Sequence, residues 1–206
     1  MSEFDTKAAS WDDDPQRVAR ANEIARYLTA HLDLSSFKKV LEYGSGTGLL
    51  SLALQDQLAD VTLMDESAAM TEIAQNKIKK KGLKNWQAIT YDLLSQPLPA
   101  TRYDLIYTML TLHHIADTVA ILQKFYQIAL PGAKLCIIDL EKEDGSFHEG
   151  DFHGHKGFER QELEAILRQT GWQPATYSIC YTITKSDEAG QTKEYPVFML
   201  LATKQP

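Results

Sequence analysis

The feature that most constrains this chain is a short strand that runs into glycines and then straight into a helix. Residues 38–43 read as the strand, GSGTG follows, and a helical stretch begins near Leu49. Glycines at Gly44, Gly46 and Gly48 let the backbone turn tightly and leave main-chain amides open to a ligand. The strand–helix unit then recurs. Residues 61–64 read as a buried strand ending at Asp65, and 68–81 as a helix with Gly82 just beyond it. Residues 86–89 and 103–108 are further strands, and a helix over 118–129 stops at Leu130-Pro131-Gly132. A fifth strand is expected at 134–140 and a helix at 160–169. Strands with nearly continuous apolar interiors, alternating with helices, predict a parallel sheet covered on both faces. The ending differs: runs 172–184 and 195–203 are joined by a polar turn, 185–194, with no helix between them. That predicts an antiparallel hairpin added to the parallel sheet. Ahead of it all, Asp14 is the expected N-cap of a first helix, with Pro15 at its first position. Val18, Ala21, Ala25, Leu28 and Leu32 form its apolar face.

Charge and composition narrow the partners. Lys+Arg total 21 against 28 Asp+Glu, a formal net charge of −7, and such a surface repels phosphate backbones. Nucleic acid is therefore not expected as a partner. No apolar run approaches the roughly 20 residues that span a bilayer, so no membrane is expected either. The opening MSEFDTKAASWDDDP lacks the basic start and apolar stretch of a secretion signal. Cys136 and Cys180 lie in apolar stretches and read as buried free thiols in a reducing, cytoplasmic setting. Lys77, Lys79, Lys80 and Lys81 read as the solvated, dipole-complementing end of their helix.

Three acids fall at strand ends. Glu42 stands two residues before the first glycine, and Asp65 lies 19 residues after Gly46. A carboxylate in that position accepts hydrogen bonds from both hydroxyls of a ribose; capping of the next helix is the alternative. Asp92 follows the third strand and suits an exocyclic amino group, with Leu93 packing on a purine face. All of these positions fall at the carboxyl edge of one sheet, where open α/β folds bind ligands.

Together these segments resemble the class I S-adenosylmethionine-dependent methyltransferases. The resemblance runs from FDTKAASWDDDP through VLEYGSGTG, VTLMDESAAM, ITYDLLSQPLP and YDLIYTMLTLHHI to ALPGAKLCIIDLE and the closing hairpin. It implies a Rossmann-like, doubly wound α/β fold with a seven-stranded sheet, mostly parallel, whose last strand is antiparallel. It implies one domain over 1–206, in which 1–33 form an N-terminal helical cap and 141–159 a lid loop. The cofactor implied is S-adenosyl-L-methionine, with S-adenosyl-L-homocysteine as product. Glu42, Tyr43, Gly44, Ser45, Gly46 and Gly48 would cradle its methionine part, Asp65 with Glu66 its ribose, and Asp92 with Leu93 its adenine. Trp11 would close over it.

Methyl transfer from a sulfonium needs no protein nucleophile or metal, only an acceptor held in line, and a base where that acceptor starts protonated. His113 and His114, after the fourth strand, are the candidate bases. His148, His153 and His155 form a second group in a glycine-rich stretch. They are read as lid residues, His153 and His155 facing substrate, and no metal is assigned. No Asn-Pro-Pro-Tyr follows the fourth strand and no Pro-Cys pair occurs, so the expected acceptor is a small molecule. The competing readings are a non-catalytic cofactor-binding module with a regulatory or docking role and a nicotinamide oxidoreductase. The glycine spacing disfavours the second, because dinucleotide enzymes want G-x-G-x-x-G and Leu49 occupies the last position.

Overall fold

The computed structural model of the protein describes residues 3–148, 150–186 and 190–205. A short helix α1 (Glu3–Lys7) and a 3-10 turn (Ala8–Asp13) lead into α2 (Pro15–His31). Asp14 caps α2 as expected, its side chain accepting from the Gln16 amide. Then come β1 (Val40–Tyr43), α3 (Leu49–Ala53), β2 (Val61–Asp65), α4 (Ala68–Lys81), β3 (Trp86–Thr90) and β4 (Tyr103–Met109). The chain continues through a 3-10 turn (Leu112–His114), α5 (Thr118–Ile128), β5 (Ala129–Leu140), α6 (Arg160–Gln169), β6 (Trp172–Ser186) and β7 (Thr192–Lys204).

The strands form one seven-stranded sheet in the order β3-β2-β1-β4-β5-β7-β6. β1 through β5 pair in parallel, whereas β7 runs antiparallel to both β5 and β6. The fold is thus the doubly wound α/β sheet with a C-terminal hairpin that the alternation predicts. Successive side chains of β1 face opposite layers. Val40 joins Leu28, Leu50, Leu63 and Tyr107 beneath α2, α3 and α4. Leu41 joins Met64, Ile106, Phe125 and Trp172 beneath α5 and α6. Both layers being filled, every position of β1 is buried.

Two boundaries differ from expectation. Leu130-Pro131-Gly132 does not separate helix from strand: β5 begins at Ala129, which pairs with Tyr103 before a register shift. The hairpin strands extend into the expected polar turn, and residues 187–189 of that turn lie outside the described residues. Cys136 is buried as expected, but Cys180 is only half-buried and its thiol donates to the Val197 carbonyl. Both are free thiols. Among the described residues no helix is long and apolar enough to cross a membrane.

Candidate active site

Parallel pairing puts the ends of β1 to β5 on one edge, and the glycine loop closes over that edge. The amides of Gly44 and Ser45 donate to the Met64 carbonyl at 2.8 and 3.1 Å, drawing the loop against β2. Gly44 has φ +68, and a Cβ there would collide with the side chain of Thr111. That threonine in turn donates its hydroxyl to the Gly44 carbonyl at 3.1 Å. Asp65 Oδ2 accepts the Gly46 amide at 2.7 Å, and Oδ1 accepts the Ser67 amide at 2.9 Å. Burial pushes the Asp65 carboxyl above its ordinary range, and the two amide donors oppose that shift. Ser67, not Asp65, caps α4 by accepting from Met70. The Asp65 carboxylate thus joins the glycine loop to the N-cap residue of α4.

Glu42 and Leu93 depart from their expected roles. Glu42 is 1% exposed, and its carboxylate accepts from the amide and hydroxyl of Ser51, which also bonds Tyr107. Burial pushes its pKa up to about 8. This acid ties the end of β1 to α3, the helix that follows the glycine loop. Leu93 is fully buried with Tyr43, Ile106 and Leu122, so it presents no face to a purine. The neighbouring Asp92 is half-buried and accepts from the Leu94 amide at 2.9 Å. The Tyr43 hydroxyl lies 3.5 Å from Asp92. Glu66 is exposed beside Asp65, and burial together with the charges of Asp65, Asp92 and Asp5 raises its pKa. Ser45 keeps a buried hydroxyl oxygen with no hydrogen-bond partner.

The N-terminal segment covers the loop. Trp11 Nε1 lies 3.9 Å from where a Gly46 Cβ would stand, and the Arg17 guanidinium sits 4.0 Å over the Trp11 ring. Asp12 accepts from the Thr47 hydroxyl at 2.6 Å and pairs with Lys77, which also donates to the Thr47 carbonyl at 3.0 Å. Lys77 is thus not part of a solvated helix end. It fastens the cap to the glycine loop.

On the other side of the edge, Leu110 takes φ +51, a conformation rare for a branched side chain, and turns the chain into Leu112–His114. His113 is 1% exposed, and its Nδ1 lies 2.5 Å from Oδ1 of the fully buried Asp139 at the end of β5. Nδ1 faces that carboxylate, which leaves Nε2 on the far side of the ring. That nitrogen is buried without a hydrogen-bond partner. His114 is exposed, and its ring packs edge-on against Phe4 and Phe152.

The stretch read as a lid packs here too. His148 stacks on Phe152 at 3.7 Å and lies 5.1 Å from both His113 and His114, ring centre to ring centre. The His155 amide donates to the His113 carbonyl at 2.7 Å, and its ring bonds Thr118 and the Ile115 carbonyl. His155 therefore anchors the segment, whereas His153 is exposed. Thr111, Asp12, Asp139, Phe147 and Phe152 were not singled out in the sequence. Only Asp139 carried a usable signal, as an acid at the carboxyl end of a strand.

The fold and the braced glycine loop are joined by a match to a known family model. Residues 16–181 match the model described as "Methyltransferase domain". The chain belongs to this methyltransferase family. A ubiquinone biosynthesis O-methyltransferase of Histophilus somni is 32% identical over 143 residues, which cover 66% of this chain and 60% of that relative. The chain thus spans less than two thirds of that protein's length. One of the same description from Xanthomonas euvesicatoria is 27% identical over 195 residues, 84% of this chain and 81% of the relative. Among solved structures, DhpI in complex with SAH has TM-score 0.73 and 20% identity, covering 98% of this chain and 94% of DhpI. A SAM-dependent methyltransferase from Aquifex aeolicus has TM-score 0.65 and 21% identity, covering 93% of this chain and 98% of that one. These two likenesses bear on the fold of the methyltransferase.

Proposed function

We propose that this methyltransferase transfers the methyl group of S-adenosyl-L-methionine to a small-molecule acceptor, releasing S-adenosyl-L-homocysteine. The observation that carries the reading is the Gly46 amide held by Asp65, which fixes a bare loop beside a carboxylate at the sheet edge. Gly44, Gly46, Gly48 and Ser45 would take the methionine part. Asp65 and Glu66 would hold the ribose and Asp92 the adenine amino group, with Trp11 and Tyr43 enclosing them. Three acids clustered at one mouth also favour a ligand that carries positive charge, as a sulfonium does.

The step is a direct displacement. The acceptor lone pair forms the new bond to the methyl carbon as the carbon–sulfur bond breaks, and the bonding electrons return to sulfur. The protein's part is alignment, and positioning alone is worth roughly 7–11 kcal/mol in well-oriented reactions. His114, exposed beside Phe4 and Phe152, would orient an acceptor hydroxyl and take its proton, with His113 buried behind it. The relatives described as ubiquinone biosynthesis O-methyltransferases favour a hydroxyl-bearing aromatic acceptor. Phe4, Phe147 and Phe152 supply apolar ring surface around the two histidines, which suits such a molecule. His153 and His155 belong to the segment that would close over it.

The test is turnover. The purified chain with S-adenosyl-L-methionine and a panel of phenols, catechols and amines should release S-adenosyl-L-homocysteine with at least one phenolic member. Tight binding of both nucleosides with no release from any panel member or cell extract would favour the non-catalytic binding module instead.

A further inference from the structure

Three imidazoles that are far apart in the chain meet at one place. The metal-ligating nitrogens of His113, His114 and His148 all lie within 4.8 Å of one another. The sequence suggests grouping His148 with His153 and His155, but the fold separates them: His155 bonds Thr118 and His153 is exposed. What it brings to His148 instead is the pair after β4.

We infer that His113, His114 and His148 form a binding site for a divalent transition ion of the zinc class. Three observations converge on it. The first is the donor set, since three imidazoles are a common ligand set for such an ion, leaving a fourth position open. The second is His113, whose Nε2 is buried with no hydrogen-bond partner although its ring is fixed in place. A buried ring nitrogen held so firmly and left without a hydrogen-bond partner is placed to ligate a cation. The third is Asp139, fully buried, whose carboxylate faces His113 Nδ1 and also accepts the His113 amide at 3.2 Å. A carboxylate behind a ligand histidine sets its tautomer and raises its basicity, an arrangement typical of metal sites.

Reach is adequate. Nitrogens bound at about 2.0–2.1 Å to a tetrahedral ion stand roughly 3.3 Å apart. The three nitrogens stand within 4.8 Å of one another, so binding would require His114 and His148 to draw in toward the fixed His113. Phe147 and Phe152 pack apolar rings against the histidines. The ligands come from two segments, the turn after β4 and the stretch after β5. An ion would therefore fasten the second segment against the first and close the acceptor side. With an ion bound these imidazoles are ligands and not bases, so the base role proposed above belongs to the ion-free protein.

This inference rests on the histidine geometry and not on the acceptor, so it fails separately from the proposed function. The test uses the full chain without a polyhistidine tag, stripped by chelator and titrated with Co2+. A single equivalent should give the intense visible bands of four-coordinate cobalt, and Zn2+ should displace it. His148→Ala and His114→Ala should each weaken Co2+ binding at least tenfold while circular dichroism stays unchanged. Asp139→Asn should weaken it by roughly 10- to 100-fold, the usual effect of removing a carboxylate behind a ligand. His153→Ala should leave the affinity unaltered. Absence of the cobalt bands, or equal affinity in the His148→Ala and parent proteins, would overturn the site. Methyl transfer by the stripped protein with no Co2+ binding would leave the proposed function intact and remove this inference alone.

Discussion

Asp65 holds the Gly46 amide at 2.7 Å, so the carboxylate proposed to grip the ribose also shapes the loop proposed to cradle the methionine part. One side chain at the end of β2 sets both halves of the cofactor site. Because the acid is largely buried and braced by two amides, its position is set before any ligand arrives. Asp65→Ala should therefore weaken S-adenosyl-L-homocysteine binding by about 1–3 kcal/mol, the scale of charge-assisted hydrogen bonds. Isothermal titration reads this directly, and parent-like affinity would refute the ribose role.

The second relationship is steric. Gly44 combines φ +68 with direct contact to the Thr111 side chain. Gly44→Ala adds a left-handed penalty of about 1–2 kcal/mol and a clash that the loop must move to relieve. Thr111→Ala removes the two nearest colliding atoms, Cγ2 and Oγ1, leaving only its Cβ at 2.7 Å, but also removes the hydroxyl that donates to the Gly44 carbonyl. The double mutant should unfold at a higher denaturant midpoint than the sum of the single losses allows. Strict additivity would mean that the two residues do not touch in solution.

The N-terminal cap gives a kinetic expectation. Lys77 and Asp12 are each about a quarter to a third exposed, so their ion pair contributes little to global stability, roughly 0–1 kcal/mol. It does hold Trp11 and its neighbours over the glycine loop. Asp12→Ala should leave the melting temperature nearly unchanged while S-adenosyl-L-homocysteine dissociates faster. Stopped-flow tryptophan fluorescence would measure the rate; an unaltered rate would mean that the cap does not gate the site.

The lysine shows what the sequence makes legible and what it hides. Local chemistry was readable: α4 spans Ala68–Lys81 as expected because Ser67 caps one end and Gly82, at φ +69, closes the other. The parallel sheet and the closing hairpin followed from apolar runs and from what joins them. Lys77 looked like its three neighbours because its partners Asp12 and Thr47 lie 65 and 30 positions away. His148 was grouped with the histidines nearest in the chain because nothing local shows that β5 ends beside the turn after β4. Glu42 and Leu93 fell at the right strand ends, but a strand-end position does not say whether a side chain turns into the core or out of it. Those outcomes depend on packing between layers, which period and spacing do not encode.

Glu42 yields the last prediction through its burial. Its carboxyl is bonded to Ser51 of α3, and desolvation pushes its pKa from 4.5 up to about 8. A carboxyl raised in the folded state binds its proton more tightly there than in the unfolded chain. Its favourable contribution is therefore complete below the unfolded pKa, near 4.5, and is lost as pH rises toward 8. Over that window the loss is about 1.4 kcal/mol per pH unit at most, before relaxation of the site reduces it. Glu42→Gln keeps an oxygen to accept from Ser51 and carries no charge at any pH. The parent should lose stability relative to Glu42→Gln as pH rises from about 5 to 8, in urea unfolding with tryptophan fluorescence as the readout. Parallel stability profiles would mean that Glu42 ionises in the fold as readily as in water, and that Ser51 of α3 is held by a charge rather than by a neutral acid.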